Sequence, residues 1–133
     1  MMNAEIGFGR KVLEVLENYD ISFEHMPSGI DAMCVIVPTE ALEGKREQLL
    51  RSIQRQTHAD HIEIQDGMCL IAVVGRGMVR AKGTAARVCD AVSGAGVNIR
   101  MIDQGSSELN IILGVDNDAY ETALRAIFRE FVR

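Results

Sequence analysis

The strongest constraint on this chain is a repeat within it. Residues 21–37, ISFEHMPSGIDAMCVIV, recur as residues 97–113, VNIRMIDQGSSELNIIL, when the sequence is shifted by 98 − 22 = 76 positions without a gap, so that Gly105 falls on Gly29. A repeat at this spacing describes two copies of one supersecondary unit, each needing a neighbour to complete its core. The chain has 133 residues, enough for two small units, and we divide it at 1–66 and 67–133. Within the first copy, Ile21, Phe23, Val35, Ile36 and Val37 have strand character. Pro27, Ser28, Gly29 and Asp31 supply the turn that reverses the chain between them.

The flanking segments follow helical and strand periods in turn. Phe8, Val12, Val15, Leu16 and Tyr19 recur at three- and four-residue spacing, predicting an amphipathic helix over 7–18. Leu42, Leu49, Leu50 and Ile53 predict a second helix over 42–56. Residues 62–65 alternate as a short edge strand, Asp66-Gly67 turns the chain, and the apolar run 68–74 reads as a strand covered on both faces. A helix over 84–94 then leads into strands 97–102 and 108–115. A last helix over 116–131, capped by Asp116 or Asn117, has Tyr120, Leu124, Ile127, Phe128 and Phe131 as its expected buried stripe.

The order of elements gives each half a βαββαβ pattern with one strand missing: the first strand in 1–66 and the last in 67–133. That asymmetry points to a chain cut from something longer, or to units that exchange edge strands. The fold class is α+β. We expect two ferredoxin-like units in tandem, each a four-stranded antiparallel sheet with two helices on one face, the units able to share edge strands.

Charge and composition narrow the function. The net charge is −5 and the pI about 5.2, which supplies no basic field for nucleic acid or an anionic membrane. No apolar run approaches the ~18 residues of a spanning helix, and 1–9 lacks the order of a signal peptide, so a soluble cytoplasmic protein is expected. Cys34, Cys69 and Cys89 form no CxxC pair and read as buried, reduced thiols within apolar segments. His58 and His61 could share a helix face, but no cysteine or carboxylate pattern completes a metal site. The glycines at 75, 77 and 83 match neither phosphate-loop spacing. Glu108, Asp116 and Asp118 have no His or Cys partner in the pattern, so no catalytic residue is assigned.

Gly7, Phe8 and Gly9 open a helix, where unbonded backbone amides and the positive dipole end favour an anion such as a carboxylate. Ser22 and Glu24 lie on the strand after that helix, and Glu24 suits an additional amine. The alternative is that the glycines only shape a turn and Glu24 is solvated. The repeat places Gly83 on Gly7 and Asn98 on Ser22 but Arg100 on Glu24, a reversal of charge. The two copies should therefore differ in ligand, or only the first should bind one. Arg100 may otherwise be read as a solvated side chain.

The strings GFGRKVLEVLE, ISFEHMPSGIDAMCVIV, MCLIAVVGRGM and GVNIRMIDQGSSELNIILGV resemble the C-terminal regulatory region of aspartate kinases, a tandem pair of ACT domains, and HMPSGID resembles its lysine-responsive branch. The resemblance covers nearly the whole chain. It implies a parent enzyme that uses ATP and Mg to phosphorylate the side-chain carboxylate of aspartate, and a regulatory region that senses an end-product amino acid, lysine first and threonine next. It implies a homodimer formed through ACT domains and contact with a catalytic domain, with no cofactor in this chain. The effector residues it implies are Met2, Gly7, Phe8, Gly9, Ser22, Phe23, Glu24, Pro27 and Ser28, with Asn98, Ile99 and Gln104 as a second site. Glu5 and the 27–29 turn depart from the family pattern. Nothing in the chain matches the family's Lys-Phe-Gly-Gly site, so it should have no kinase activity alone. The rival readings are an ACT-type dimerisation module without effector and a small enzyme on the same fold.

Overall fold

The computed structural model describes residues 6–29, 31–75, 82–104 and 110–132. The chain forms two units, Met1–Ile64 and Gln65–Arg133.

The first unit holds helices α1 (Phe8–Asn18) and α2 (Arg46–Thr57). Val12, Val15 and Leu16 are the buried arc of α1, as the three-and-four spacing requires. Val15, Leu16, Ile21, Leu42 and Leu49 form the core, with Val35, Val37, Ile53 and Ile64 packed at its edge. The expected helix over 42–56 is broken. Thr39–Leu42 is a short 3-10 turn, and Gly44, at φ 71, turns the chain before α2 begins at Arg46. The hairpin over 21–37 is present as two isolated antiparallel bridges, His25 to Ile36 and Ser28 to Met33, rather than as continuous strands. Its tip closes through Gly29 N–H to Ala32 O at 2.8 Å and Cys34 N–H to Pro27 O at 3.0 Å. Residues 62–65 do not form the expected edge strand, although Ile64 still packs on the core.

The second unit contains β1 (Met68–Val74), α3 (Thr84–Gly94), β2 (Met101–Gln104), β3 (Asn110–Asp116) and α4 (Tyr120–Phe131). Its sheet is antiparallel in the order β1-β3-β2, with Leu70 and Met101 both opposite Gly114. Among the described residues it has three strands, not four. Strand alternation directs Ile71, Ile111, Leu113 and Val115 to one face, where Val88 and Val92 of α3 and Ala123 and Ile127 of α4 meet them. Both helices thus share one face of the sheet. Burying each of these larger side chains contributes about 1.5–3 kcal/mol. β2 begins later than residue 97 because Val97 N–H is still bonded to Val92 O at 3.2 Å, closing α3.

Three further expectations are corrected. The core-facing arc of α4 is Ala123 and Ile127; Tyr120, Leu124, Phe128 and Phe131 are 39, 42, 62 and 36% exposed. The small side chain of Ala123 lets the helix lie close over the sheet, and this turns the aromatic stripe aside. Neither Asp116 nor Asn117 caps the last helix: a 3-10 turn, Asn117–Ala119, intervenes. Their side chains bond Arg100 and Cys69 instead. The cysteines are reduced but not buried, since Cys34 is exposed and Cys69 and Cys89 are half-buried.

The two copies match at the level of single hydrogen bonds. Around α1, Tyr19 N–H donates to Val15 and Leu16 O, Asp20 N–H to Glu17 O and Ile21 N–H to Leu16 O. Around α3, Ala95, Gly96 and Val97 repeat every one of these bonds 76 residues later. Past the hairpin tip the match changes. Glu24 N–H donates to Ile36 O and Arg100 N–H to Gly114 O, both at 2.7 Å, so the donors differ by 100 − 24 = 76 but the acceptors by 114 − 36 = 78. The gapless alignment is therefore wrong by two residues on the return strand, because register is fixed by pairing and not by sequence spacing.

Candidate functional site

The sequence-derived site divides between the start of α1 and the segment that follows it. Gly7 is the N-cap of α1 at φ 84, a left-handed conformation that favours glycine, and its carbonyl accepts Lys11 N–H at 3.0 Å. No side chain caps this end, which leaves first-turn amides available to an anion. Phe8 and Gly9 are half-buried, and a Cβ on Gly9 would meet nothing within 4 Å. The space above Gly9 is open.

Ile21 is buried and tied to Leu16 O, so the following segment leaves from the C-terminal end of α1. Ser22, Phe23 and Glu24 come next as one exposed run, Phe23 at 45%. The backbone of Glu24 is held by Ile36 O while its carboxylate faces solvent. Pro27 is half-buried and Ser28 is exposed, bridged to Met33 at the hairpin tip. An eleven-residue helix is about 16 Å long. The glycines and the start of the Ser22–Glu24 run thus mark opposite ends of α1. Met2 and Glu5 lie outside the described residues.

The second copy has the same frame and different chemistry. Gly83 caps α3 at φ 78 and its carbonyl accepts Arg87 N–H at 3.0 Å, repeating Gly7. Asn98 is exposed, Ile99 packs against the core, and Gln104 is exposed at the end of β2. Arg100 is not solvated: its side chain is 20% exposed and donates to Asp116 Oδ1 at 3.0 Å, Asp66 O at 3.2 Å and Gln65 Oε1 at 3.2 Å. The position that is an exposed acid in the first copy is an internally satisfied cation in the second. Ile99 is committed to packing, which leaves Asn98 and Gln104 as the accessible members of that set.

An open cleft that the sequence reading missed lies on the first unit, with a volume near 490 Å³, lined by Leu50, Arg51, Gln54, Arg55 and Ile62. Arg51 and Arg55 stand four residues apart on α2, a signal that had been read only as a charged outer face. His58 ends α2 at φ 53, so it does not share a helix face with His61. Among the described residues no three His, Cys, Asp or Glu side chains are grouped to hold a metal ion. No helix among them is long and apolar enough to cross a membrane. The glycine-rich stretch 76–81 and Glu108 lie outside the described residues.

Comparison with known proteins places this architecture. Residues 71–131, within the second unit, match the model of the ACT domain. Aspartokinase 3 of Bacillus subtilis is 41% identical over 132 residues, covering 98% of this chain and 29% of its own length. The crystal structure of Clostridium acetobutylicum aspartate kinase, described as an allosteric enzyme, superposes with a TM-score of 0.93 at 46% identity, covering 98% of this chain and 30% of that one. The ligand-free regulatory subunit of aspartate kinase from Thermus thermophilus has the same fold over the whole chain, with a TM-score of 0.81 at 22% identity and 88% of that subunit covered. This chain thus spans less than a third of the first two proteins and most of the third. Its length, its fold and the identity that runs along almost all of it coincide with one part of these enzymes: the chain belongs to the ACT-domain regulatory region of the aspartokinase family.

Proposed function

We propose that this chain is the effector-sensing region of an enzyme that phosphorylates aspartate with ATP and Mg, and that it binds an end-product amino acid, lysine before threonine, to feed back on that reaction. The observation that carries the choice of ligand is the contrast between Glu24 and Arg100. They occupy the same backbone position in the two copies, yet Glu24 offers an exposed carboxylate and Arg100 is paired with Asp116. A ligand ammonium is attracted to the first position and repelled from the second.

In this reading the start of α1, at Gly7, Phe8 and Gly9, receives the α-carboxylate, and Glu24 the side-chain ammonium of lysine. Ser22, Phe23, Pro27 and Ser28 line the approach, with Met2 completing the set; Asn98, Ile99 and Gln104 are left as a weaker second site. A homodimer formed through ACT domains would transmit binding to the catalytic part. That is allostery only if lysine binds two states of the enzyme unequally.

Titration calorimetry and thermal unfolding of this chain with lysine, threonine and methionine test the reading. Lysine at a hundredfold excess over its dissociation constant should add about 2.7 kcal/mol of stability, and Glu24→Ala should reduce the gain while leaving the unliganded melting temperature unchanged. In the parent kinase, the same substitution should relieve inhibition by lysine. Absence of heat with all three amino acids, or a full lysine response in Glu24→Ala, would refute the assignment.

A further inference from the structure

Along α4, Tyr120, Leu124, Phe128 and Phe131 succeed one another at intervals of four, four and three, which places them on one side of the helix. They are 39, 42, 62 and 36% exposed, because Ala123 and Ile127 make the core contact. The stripe is about 17 Å long, a continuous seam rather than the scattered apolar residues of an ordinary surface. Its C-terminal end is held in place from α3. Arg87 Nε donates to Glu130 Oε1 at 2.9 Å and Nη2 to Glu130 O at 3.1 Å, and the guanidinium lies 4.5 Å from the centre of the Phe131 ring. A surface fixed in this way loses little side-chain freedom when it is covered.

The charges beside the stripe indicate what covers it. Glu121, Arg125 and Arg129 follow at four-residue spacing along its flank, the acid in the first turn and the bases towards the last. A parallel helix of the same sequence would set each charge beside its like. An antiparallel copy instead places Leu124 opposite Phe128, Tyr120 opposite Phe131, and Glu121 alongside Arg129, each twice by symmetry, with the helix dipoles opposed. Arg125 falls near the two-fold axis, accompanied by Glu121 of its own helix at 4.0 Å. Those two side chains are 73 and 81% exposed, so their internal pair is a weak competitor for the contact between copies.

We propose that α4 is a self-association surface, through which two copies of this chain pack antiparallel along Tyr120, Leu124, Phe128 and Phe131. The surface lies apart from the Ser22–Glu24 run and owes nothing to the effector assignment. The flanking charged side chains must contribute to the interface as well, since a stable one covers about 800 Å² on each partner.

Sedimentation equilibrium of the 133-residue chain, without amino acid, tests this directly. The chain should dimerise in the micromolar range, and Phe128→Asp should weaken the association by at least about thirtyfold, with an unchanged circular dichroism spectrum. Glu121→Arg should weaken it about three- to tenfold, and Arg129→Glu added to Glu121→Arg should restore it, a rescue that general destabilisation of the fold would not produce. A chain that stays monomeric, a dimer indifferent to Phe128→Asp, or a charge reversal without rescue would overturn the proposal. A dimer that resists Phe128→Asp but still responds to lysine would overturn it while leaving the effector reading intact.

Discussion

Replacing Gly114 by alanine tests how closely the sheet of the second unit is packed on the side away from its helices. Gly114 lies in the central strand between Leu70 and Met101. A Cβ built there would sit 2.7 Å from Met68 Sδ, 3.4 Å from Met68 Cγ and 3.0 Å from Met101 Cβ. The Met68 side chain can rotate away, but Met101 Cβ is fixed to its backbone, so β2 itself must give. Overpacking of this kind costs about 1–3 kcal/mol, against which alanine recovers about 0.5–1 kcal/mol of backbone entropy at a strand position. The net loss should be about 1–2 kcal/mol, a fall of about 5–15 °C in the melting temperature of a unit of this size. The chain has no Trp and two Tyr, Tyr19 and Tyr120, one in each unit. In a Tyr19→Phe background, Tyr120 fluorescence therefore follows the second unit alone through a urea titration. Adding Met68→Ala to Gly114→Ala should give a double variant more stable than the two single losses predict, by about 1 kcal/mol, since the two residues compete for one space. A single variant as stable as the parent, or strictly additive losses, would refute the packing argument.

Asp20 occupies at φ 57 the helix-exit position that Gly96 occupies at φ 79, so Asp20→Gly should stabilise the first unit by about 0.5 kcal/mol while Gly96→Ala should destabilise the second by about 1 kcal/mol. A Cβ on Gly96 would meet nothing within 4 Å, which leaves backbone strain as the whole cost; thermal melts showing no difference in either variant would count against it. For Arg100 and Asp116, a double-mutant cycle with Arg100→Gln and Asp116→Asn should give a coupling of about 0.5–1.5 kcal/mol, because the arginine is largely buried and only the aspartate is half exposed. Glu24→Gln, at the equivalent position, should leave urea stability within about 0.5 kcal/mol, and a larger loss would show that Glu24 has a structural role.

The helices were legible wherever apolar period and exit residues agreed. The three-and-four spacing of Val12, Val15 and Leu16 and the glycines after α3 fix α1 and α3 within a residue or two. The run 68–74 is a strand with the expected bounds, because a continuous β-branched and aliphatic segment has few alternatives. Legibility failed where tertiary packing chose between faces. On α4 the aromatics form the longer apolar row, yet small Ala123 beside Ile127 decides which arc approaches the sheet. It failed again at Asp116, whose capping propensity lost to the ion pair with Arg100, a partner sixteen residues away that no local pattern specifies. The cleft beside α2 was invisible for a similar reason, since Ile62 reaches it from beyond the helix.

What the repeat gained from the coordinates is an internal control. Two segments with the same helix entry, the same exit bonds and the same backbone bond at Glu24 and Arg100 differ in what their side chains meet. Shared ancestry of backbone geometry explains the glycines, so Gly7 and Gly83 alone say nothing about a ligand: both serve their helices equally well. The side chain at the equivalent position does discriminate, because Arg100 already has three acceptors within its own unit and Glu24 lies in solvent. A chain that needed both positions only for folding would have no reason to satisfy one and expose the other. Duplication followed by loss of one site accounts for that difference: the second copy closed its position with Asp116, and the first kept an acid where a cationic amino acid can still reach it.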